Sequence, residues 1–253
     1  MPRSHIWRIR GFTLTEMAVV FVIISLLLAS AMYTLSAQTD QRNIDETRRR
    51  LEAARELILA FAVVNSRLPC PATAASNGAE AFTGANCTSA YGGFLPAQAI
   101  GFQVVDAAGF AVDAWQNRIR YAVSGAAPIG CAVGPTLPHF INATNLRTNG
   151  ITCQPNDLVV CRSATGITAT TCGPATNIVT NQNIVVALVF GTGKNGTSGG
   201  GGIDEAANTN GDQVFVWHTP TPVGAANGEF DDQMTWITVG ELYGKLIAAG
   251  LLP

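Results

Sequence analysis

The sequence has few charged residues for its length. Asp, Glu, Lys and Arg make up 13% of the 253 residues, whereas 47% are hydrophobic. This balance excludes a strongly solvated, disordered chain. The net charge of −2 supplies no long-range attraction to nucleic acid, so no nucleic-acid partner is expected.

Residue patterns of common catalytic sites are also lacking. Two of the three histidines, His139 and His218, lie beyond the N-terminal segment, and neither belongs to a nucleophile-elbow or H-E-x-x-H pattern. Residues 191–196 fit G-x-G-x-x-G after an apolar run, but more glycines follow, so no helix is expected to begin there and a dinucleotide site is excluded. The sequence predicts that the chain is not an enzyme.

None of the six cysteines belongs to a C-x-x-C pair, which favours disulfides in an oxidising compartment over a zinc site. Fifteen pairings of six cysteines are possible. A preference for neighbours in sequence would give Cys70 with Cys87, Cys131 with Cys153, and Cys161 with Cys172.

A long apolar run lies near the N-terminus. It extends from Met17 to Met32 with further apolar residues at both edges, so about 20 residues are available to cross a bilayer as a helix. The first ten residues contain three arginines and no acidic residue, which places them in the cytoplasm and the chain beyond the run outside. The sequence therefore predicts a transmembrane segment over residues 12–35.

A single carboxylate, Glu16, lies at the start of this run, where a charge is costly unless it is paired. Gly11 closes the basic leader, residues 1–11, and Phe12 opens the apolar stretch. This arrangement resembles the type III signal of type IV pilins and pseudopilins. The resemblance implies cleavage after Gly11 by a membrane prepilin peptidase, N-methylation of Phe12 and a role for Glu16 in filament assembly. The alternative is a plain membrane anchor in which the glutamate has no function.

Glycine and proline are absent from residues 12–68, although the chain has 26 glycines. One long helix is therefore expected over residues 12–68. Its second part, residues 36–68, has apolar residues at helical spacing and a charged opposite face, so it is amphipathic. The arginine run at 48–50 is compatible with binding to nucleic acid or lipid headgroups, but glutamates within helical pairing distance favour a self-paired, solvated face.

Two prolines end the helix, and residues 69–253 are expected to form a globular head with a cysteine-rich insert at about residues 128–180. Thr238 and Glu241 predict a capping box at the start of a last helix. Apolar patterns predict strands at residues 119–123, 158–160, 183–190 and 214–217.

A second resemblance lies about a hundred residues beyond the first. A Leu-Pro turn at residues 95–96 and the pattern D-x-W-x-N-x-I-x-Y at residues 113–121 follow the long helix, an order that is similar to the heads of pseudopilins. The resemblance implies an α+β fold, in which a C-terminal antiparallel β-sheet packs on the long N-terminal helix.

The stretch at about residues 191–236 is rich in glycine and acidic residues. It resembles the calcium-binding loop of the major pseudopilins of type II secretion. The resemblance implies a Ca²⁺ site with Asn195 and Asp232 as ligands and with Asp231 or Asp204 as a further oxygen ligand. Asn195 replaces an acidic residue of the family pattern, and the loop is longer than the family's. A solvated acidic loop without an ion is the alternative.

Together the resemblances imply a structural subunit, either a major or a minor pilin, of a type IV pilus-like filament. Its partners would be identical or related subunits, the prepilin peptidase and an inner-membrane assembly platform. It would reside in the inner membrane before assembly and in a periplasmic or cell-surface filament afterwards. The alternatives are a pseudopilin of a type II secretion system, a membrane-anchored adhesin or binding module, and a tethered enzyme.

Overall fold

The structure is a computed structural model that describes residues 13–131, 138–196 and 201–252, without the side chains of residues 30–36. The predicted leader, with Gly11, and the predicted methylation site, Phe12, lie outside the described residues. The chain divides into two compact units, Met1–Asn43 and Ile44–Pro253.

Helix α1 extends from Leu14 to Asn65. The absence of glycine and proline from this stretch lets one helix continue for 52 residues. It ends three residues before the predicted end, at residue 68, because Ser66 takes a positive φ of 54°. Such a φ is incompatible with a continuing right-handed helix.

The other elements lie in the second unit. In chain order they are β1 (Phe82–Thr83), β2 (Asn86–Cys87), β3 (Gly93–Phe94), α2 (Ala97–Ile100), β4 (Arg120–Val123), α3 (Ala143–Asn149), β5 (Val159–Cys161), β6 (Ile178–Thr180), β7 (Val185–Gly191), α4 (Ile203–Thr209), β8 (Val214–Val216), β9 (Gln233–Thr238) and α5 (Val239–Ala248).

The main sheet has four antiparallel strands in the order β3-β4-β7-β9. The predicted α+β class, with a long N-terminal helix and antiparallel sheets, agrees with this architecture. A smaller sheet has the order β6-β5-β8. In it β5 pairs with β8 in parallel, in contrast to the antiparallel pairing expected from the sequence. Parallel strands need a long crossover, and here β6, β7 and α4 lie between the two.

The core of the second unit forms between the main sheet and one face of α1. Ile58 and Ala62 of the helix are fully buried in one cluster with Tyr121 and Val189 of the sheet and Leu242 of α5. Strand β7 is buried along its whole length, as expected for a central strand that is covered on both faces. Full burial of each large aliphatic side chain contributes roughly 2 kcal/mol. The amphipathic part of α1 is therefore held by its apolar face.

The opposite face of the main sheet packs against the smaller sheet. Leu188 and Phe190 of β7 cluster with Leu158 and with Phe215 of β8. The rings of Phe190 and Phe215 meet edge to face, with centroids 5.8 Å apart. Because β7 and β9 pair antiparallel, with Gly191 opposite Gln233, the residues that follow β7 and those that precede β9 lie at the same edge of the head.

Helix α4 corrects one prediction. No helix was expected after the glycine-rich stretch, yet α4 begins directly after Gly202. Glycine is tolerated at a helix N-cap, and Asp204 and Glu205 in the first turn interact favourably with the helix dipole. The helix also buries Ala207, and the Asn208 side chain donates to a backbone carbonyl of β8 at 3.0 Å, so tertiary contacts support it.

The arginine run on α1 is paired within the helix. Arg50 donates to Glu46 at 2.9 Å, and an Arg49 nitrogen lies 3.7 Å from the same carboxylate. Arg50 also donates to the backbone carbonyl of Asp113 at 2.7 Å. This segment therefore has intramolecular partners for two of its three arginines.

Three disulfides tie the head. They join Cys70 to Cys87, Cys131 to Cys153, and Cys161 to Cys172. All three bonds join neighbours in sequence, and the second and third lie in the predicted cysteine-rich insert.

The transmembrane prediction is not supported. Within residues 13–131, 138–196 and 201–252, no helix has both the length and the apolar character that a membrane crossing needs. The predicted span, residues 12–35, also includes Phe12 and the side chains of residues 30–35, which lie outside the description.

Candidate functional site

The first turn of α1 is closed by a capping box. The backbone N–H and the hydroxyl of Thr13 both donate to Glu16 Oε2 at 2.8 Å, and the Glu16 N–H contacts the Thr13 hydroxyl at 3.3 Å. In a capping box these reciprocal bonds satisfy backbone donors that a helix start leaves unpaired. Glu16 thus contributes to the start of the helix. The pattern T-x-x-E at residues 13–16 is the sequence signal for this capping box, beside the charge of Glu16.

Apolar side chains cover the first four turns of α1. The exposed fraction is 88% for Leu14, 63% for Phe21 and 66% for Leu26. The large apolar residues exposed in this segment are Leu14, Met17, Val19, Val20, Phe21, Val22, Ile23, Ile24, Leu26, Leu27 and Leu28. An apolar surface of this extent marks a contact with another apolar phase or protein. We call this segment, residues 14–28, the apolar helix segment.

A second site lies at the edge of the head where β7 ends and β9 begins. Asn195 follows β7, Glu205 lies in the first turn of α4, and Asp231 and Asp232 directly precede β9. One carboxylate oxygen from each of the three acidic residues lies within 4.8 Å of the other two. We call Glu205, Asp231 and Asp232 the acidic cluster.

Hydrogen bonds hold the acidic cluster in place. Glu205 accepts from Asn195 Nδ2 at 3.2 Å, from the Asp231 N–H at 2.7 Å and from the Gly201 N–H. Asp231 accepts from the Lys194 N–H at 2.8 Å. These contacts link the glycine-rich stretch, α4 and the start of β9.

Two oxygens, one in the acidic cluster and one beside it, lack a hydrogen-bond partner among the described residues. Oδ1 of Asn195 and Oδ1 of Asp231 are buried and have no hydrogen bond within the described part of the chain. Buried acceptors without a donor are rare in folded proteins because each one loses its interaction with water. Hard oxygen ligands of this kind suit Ca²⁺.

The acidic cluster is electrostatically strained. Burial, together with the nearby Glu205 and Asp231 carboxylates, raises the pKa of Asp232 to about 8, against the hydrogen bond from Asn208 and the charge of Arg120. Burial and the charge of Glu205 likewise raise the pKa of Asp231 to about 6, although its bond from Lys194 opposes the shift. A cation would relieve this repulsion and favour the ionised forms.

Asp204, a predicted ligand, lies apart from the acidic cluster. It is buried and accepts from the Ala164 N–H at 2.5 Å, from Asn227 Nδ2 at 3.0 Å and from His218 Nε2 at 3.2 Å. Glu205, which the prediction did not include, takes its place beside Asp231. The two residues are adjacent on α4, and a rotation of about 100° per residue directs their side chains to different surroundings.

The two histidines of the head lie in structural settings. His218 stacks on Phe230 with centroids 4.0 Å apart and contacts Asp204. His139 is buried against Phe140 and Tyr243, and burial lowers its pKa to about 4. Both side chains therefore join segments of the head.

Comparison with known proteins finds one family. A model described as the prokaryotic N-terminal methylation motif matches residues 8–32, which include the predicted cleavage position, the capping box and the apolar helix segment. No curated protein and no solved structure matches the chain significantly. The chain thus carries the prokaryotic N-terminal methylation motif, a type IV prepilin-like signal that indicates a type IV pilin-like or pseudopilin-like protein.

Proposed function

We propose that this protein is a structural subunit of a type IV pilus-like filament, assembled through its N-terminal helix. The observation that carries the proposal is the apolar helix segment, which begins directly after a capped helix start within the methylation motif. In a filament, the same segments of neighbouring subunits bury one another's apolar surface. The second unit, with its own core and disulfides, forms the outer surface.

Processing precedes assembly in this proposal. A prepilin peptidase removes residues 1–11, the new amine of Phe12 is methylated, and an inner-membrane assembly platform adds the subunit to identical or related subunits. The amine of Phe12 then directly precedes Thr13 in the chain, and the Thr13 N–H already donates a hydrogen bond to Glu16. A second copy's amine is an equally suitable partner for the Glu16 carboxylate, because opposite charges attract strongly where water is excluded. The precursor is held at the inner membrane, and the filament is periplasmic or on the cell surface.

Site-specific crosslinking in the producing cells tests the proposal. A photoreactive phenylalanine analogue at Phe21, which is 63% exposed, should crosslink to a second copy or to another subunit with the same motif. Val64 is the matched control, because it is 81% exposed on the same helix but lies outside the apolar helix segment. Crosslinks from position 64 without crosslinks from position 21 would contradict the proposed packing.

A pseudopilin of a type II secretion system is the second candidate. The acidic cluster and the unpartnered oxygens of Asn195 and Asp231 favour it, because they provide a set of hard oxygen ligands at the predicted Ca²⁺ loop. In this version Asn195, Glu205, Asp231 and Asp232 bind the ion, which then fixes the glycine-rich stretch against β9. A surface adhesin or binding module would need a ligand site in the head.

A further inference from the structure

A cavity of about 330 Å³ lies next to the acidic cluster. Its walls combine charges of opposite sign with one aromatic ring. The lining residues that matter here are Phe94, Arg118, Arg120, Thr192, Glu205 and Asp232. Sites for small molecules in proteins usually have volumes of about 300–1,000 Å³, so this cavity suits a ligand of few heavy atoms.

Arg120 lines the cavity without forming a salt bridge among the described residues. Its guanidinium lies over the ring of Phe94, 4.6 Å from the centroid, and donates weakly to the Gly92 carbonyl at 3.5 Å. Arg118, two residues earlier in the chain and also lining the cavity, is paired with Asp106 at 2.8 Å. A guanidinium has five donors in a fixed fork, and Arg120 therefore retains donors suited to a carboxylate.

Asp232 faces the same cavity from the acidic cluster. Its side chain is only 4% exposed and accepts from Asn208 Nδ2 at 2.7 Å, but it forms no salt bridge with a described cationic side chain. Buried carboxylates are normally paired with a positive group. Arg120 and Asp232 thus line one cavity as opposite charges. Each shifts the pKa of the other towards its charged form, but they form no salt bridge among the described residues.

We propose that a small zwitterion, of the α-amino acid class, fills the space between them. Its carboxylate accepts from Arg120, and its ammonium donates to Asp232, because a positive charge placed beside that carboxyl favours its ionised form. One ligand then pairs both Arg120 and Asp232, because an α-amino acid carries its positive and its negative group only a few atoms apart. This site is distinct from filament assembly, and it would make the head of the subunit a binding module.

Titration calorimetry on the purified full chain, with EDTA present to remove any divalent cation, tests the proposal. Glycine and L-serine are the probes, and acetate and methylamine are the single-charge controls. We expect saturable binding of one amino acid per chain, at least tenfold tighter than either control. Charge-assisted hydrogen bonds are the stronger class, so loss of either partner should cost a factor of ten or more.

Variants assign the binding to the two residues. Arg120→Gln and Asp232→Asn should each weaken binding at least tenfold, and Arg120→Lys should weaken it less than Arg120→Gln. Arg49→Gln removes a charge from an exposed side chain of α1 and should leave binding unchanged. Circular dichroism checks that each variant is folded. If one of the three variants at Arg120 and Asp232 is not folded, the other two decide.

Three results would overturn the proposal. The first is no saturable heat with either amino acid. The second is equal binding of acetate and glycine, which would indicate an anion site. The third is acetate binding that appears only when calcium replaces EDTA, which would mean that a metal ion, not an ammonium, neutralises Asp232.

Discussion

Thr13 donates both its backbone N–H and its hydroxyl to one oxygen of Glu16, each at 2.8 Å. Glu16 therefore stabilises the helix start within its own chain, and any contact with a Phe12 amine comes in addition. The two contributions can be separated, because glutamine also serves at the last position of a capping box but carries no charge.

We predict that Glu16→Gln is processed normally and assembles poorly, because it retains the cap and loses the attraction to an amine. Glu16→Ala should be processed and assemble worse still, because it also loses the capping-box hydrogen bond from the Thr13 N–H. The yield of sheared filaments, compared with the amount of mature subunit in the cells, measures the effect. Wild-type filament yield from Glu16→Gln would reduce the role of Glu16 to capping.

A second prediction concerns the acidic cluster. Calcium should raise the melting temperature of the full chain, and EDTA should reverse the increase, because an ion bound to the native state stabilises it by about 2.7 kcal/mol at a hundredfold excess over Kd. Magnesium should be less effective, because it demands a smaller octahedral site. Differential scanning calorimetry provides the measurement.

Neighbouring residues provide a matched control for the calcium prediction. Asp232→Asn and Asp231→Asn should abolish the calcium-dependent shift. Asp204→Asn should retain it, even if the protein becomes less stable, because Asp204 is bonded to Ala164, Asn227 and His218 instead. The opposite pattern would restore Asp204 as a ligand and remove the acidic cluster from the site.

A third prediction concerns pH and Asp113. This carboxyl is fully buried, its Oδ1 accepts from the N–H groups of Trp115 and Asn117, and its Oδ2 has no partner within the described residues. Burial raises its pKa to about 6, against these hydrogen bonds and the charge of Arg50. The folded state therefore binds the proton more tightly than the unfolded state does.

Stability from this group is present in full below the unfolded pKa, about 4, and is lost as the pH rises through about 6. Two pKa units correspond to roughly 3 kcal/mol. Urea unfolding at pH 4.5 and pH 7.5 should show that wild type loses stability relative to Asp113→Asn as the pH rises. A difference between the two proteins that is independent of pH would show that Asp113 does not titrate in this range.

A fourth prediction concerns the disulfides. Thiol labelling of denatured, unreduced protein should detect no free cysteine, because all six are paired. Replacing Cys161 and Cys172 together by serine should destabilise the head by about 3 kcal/mol, as expected for a loop of this length. Chemical unfolding measures this loss, and a loss below about 0.5 kcal/mol would mean that other contacts already hold the insert.

Some features could be predicted because they depend on local sequence. The absence of glycine and proline over residues 12–68 determines the long helix, and the T-x-x-E pattern at Thr238 determines the start of α5, where the Thr238 side chain accepts from the Glu241 N–H. Strand β7 was predictable from its continuous apolar run, because a strand covered on both faces needs no alternation.

Other features depend on contacts between distant segments. The parallel pairing of β5 with β8 joins segments more than 50 residues apart, and no local pattern specifies a partner. Glu205, not Asp204, lies in the acidic cluster because of the orientation of α4. That orientation depends on a contact with a distant segment, the hydrogen bond from Asn208 to β8. No local pattern identifies Arg120 as a cavity residue, because the cavity it lines is formed by five separate segments of the chain.

The mature N-terminus tests the central claim, that the chain is a processed filament subunit, most directly. Mass spectrometry of protein from sheared filaments should find chains that begin at Phe12 and carry a methyl group on the terminal amine. Filament protein that retains residues 1–11, or a chain that begins beyond the apolar helix segment, would contradict the account.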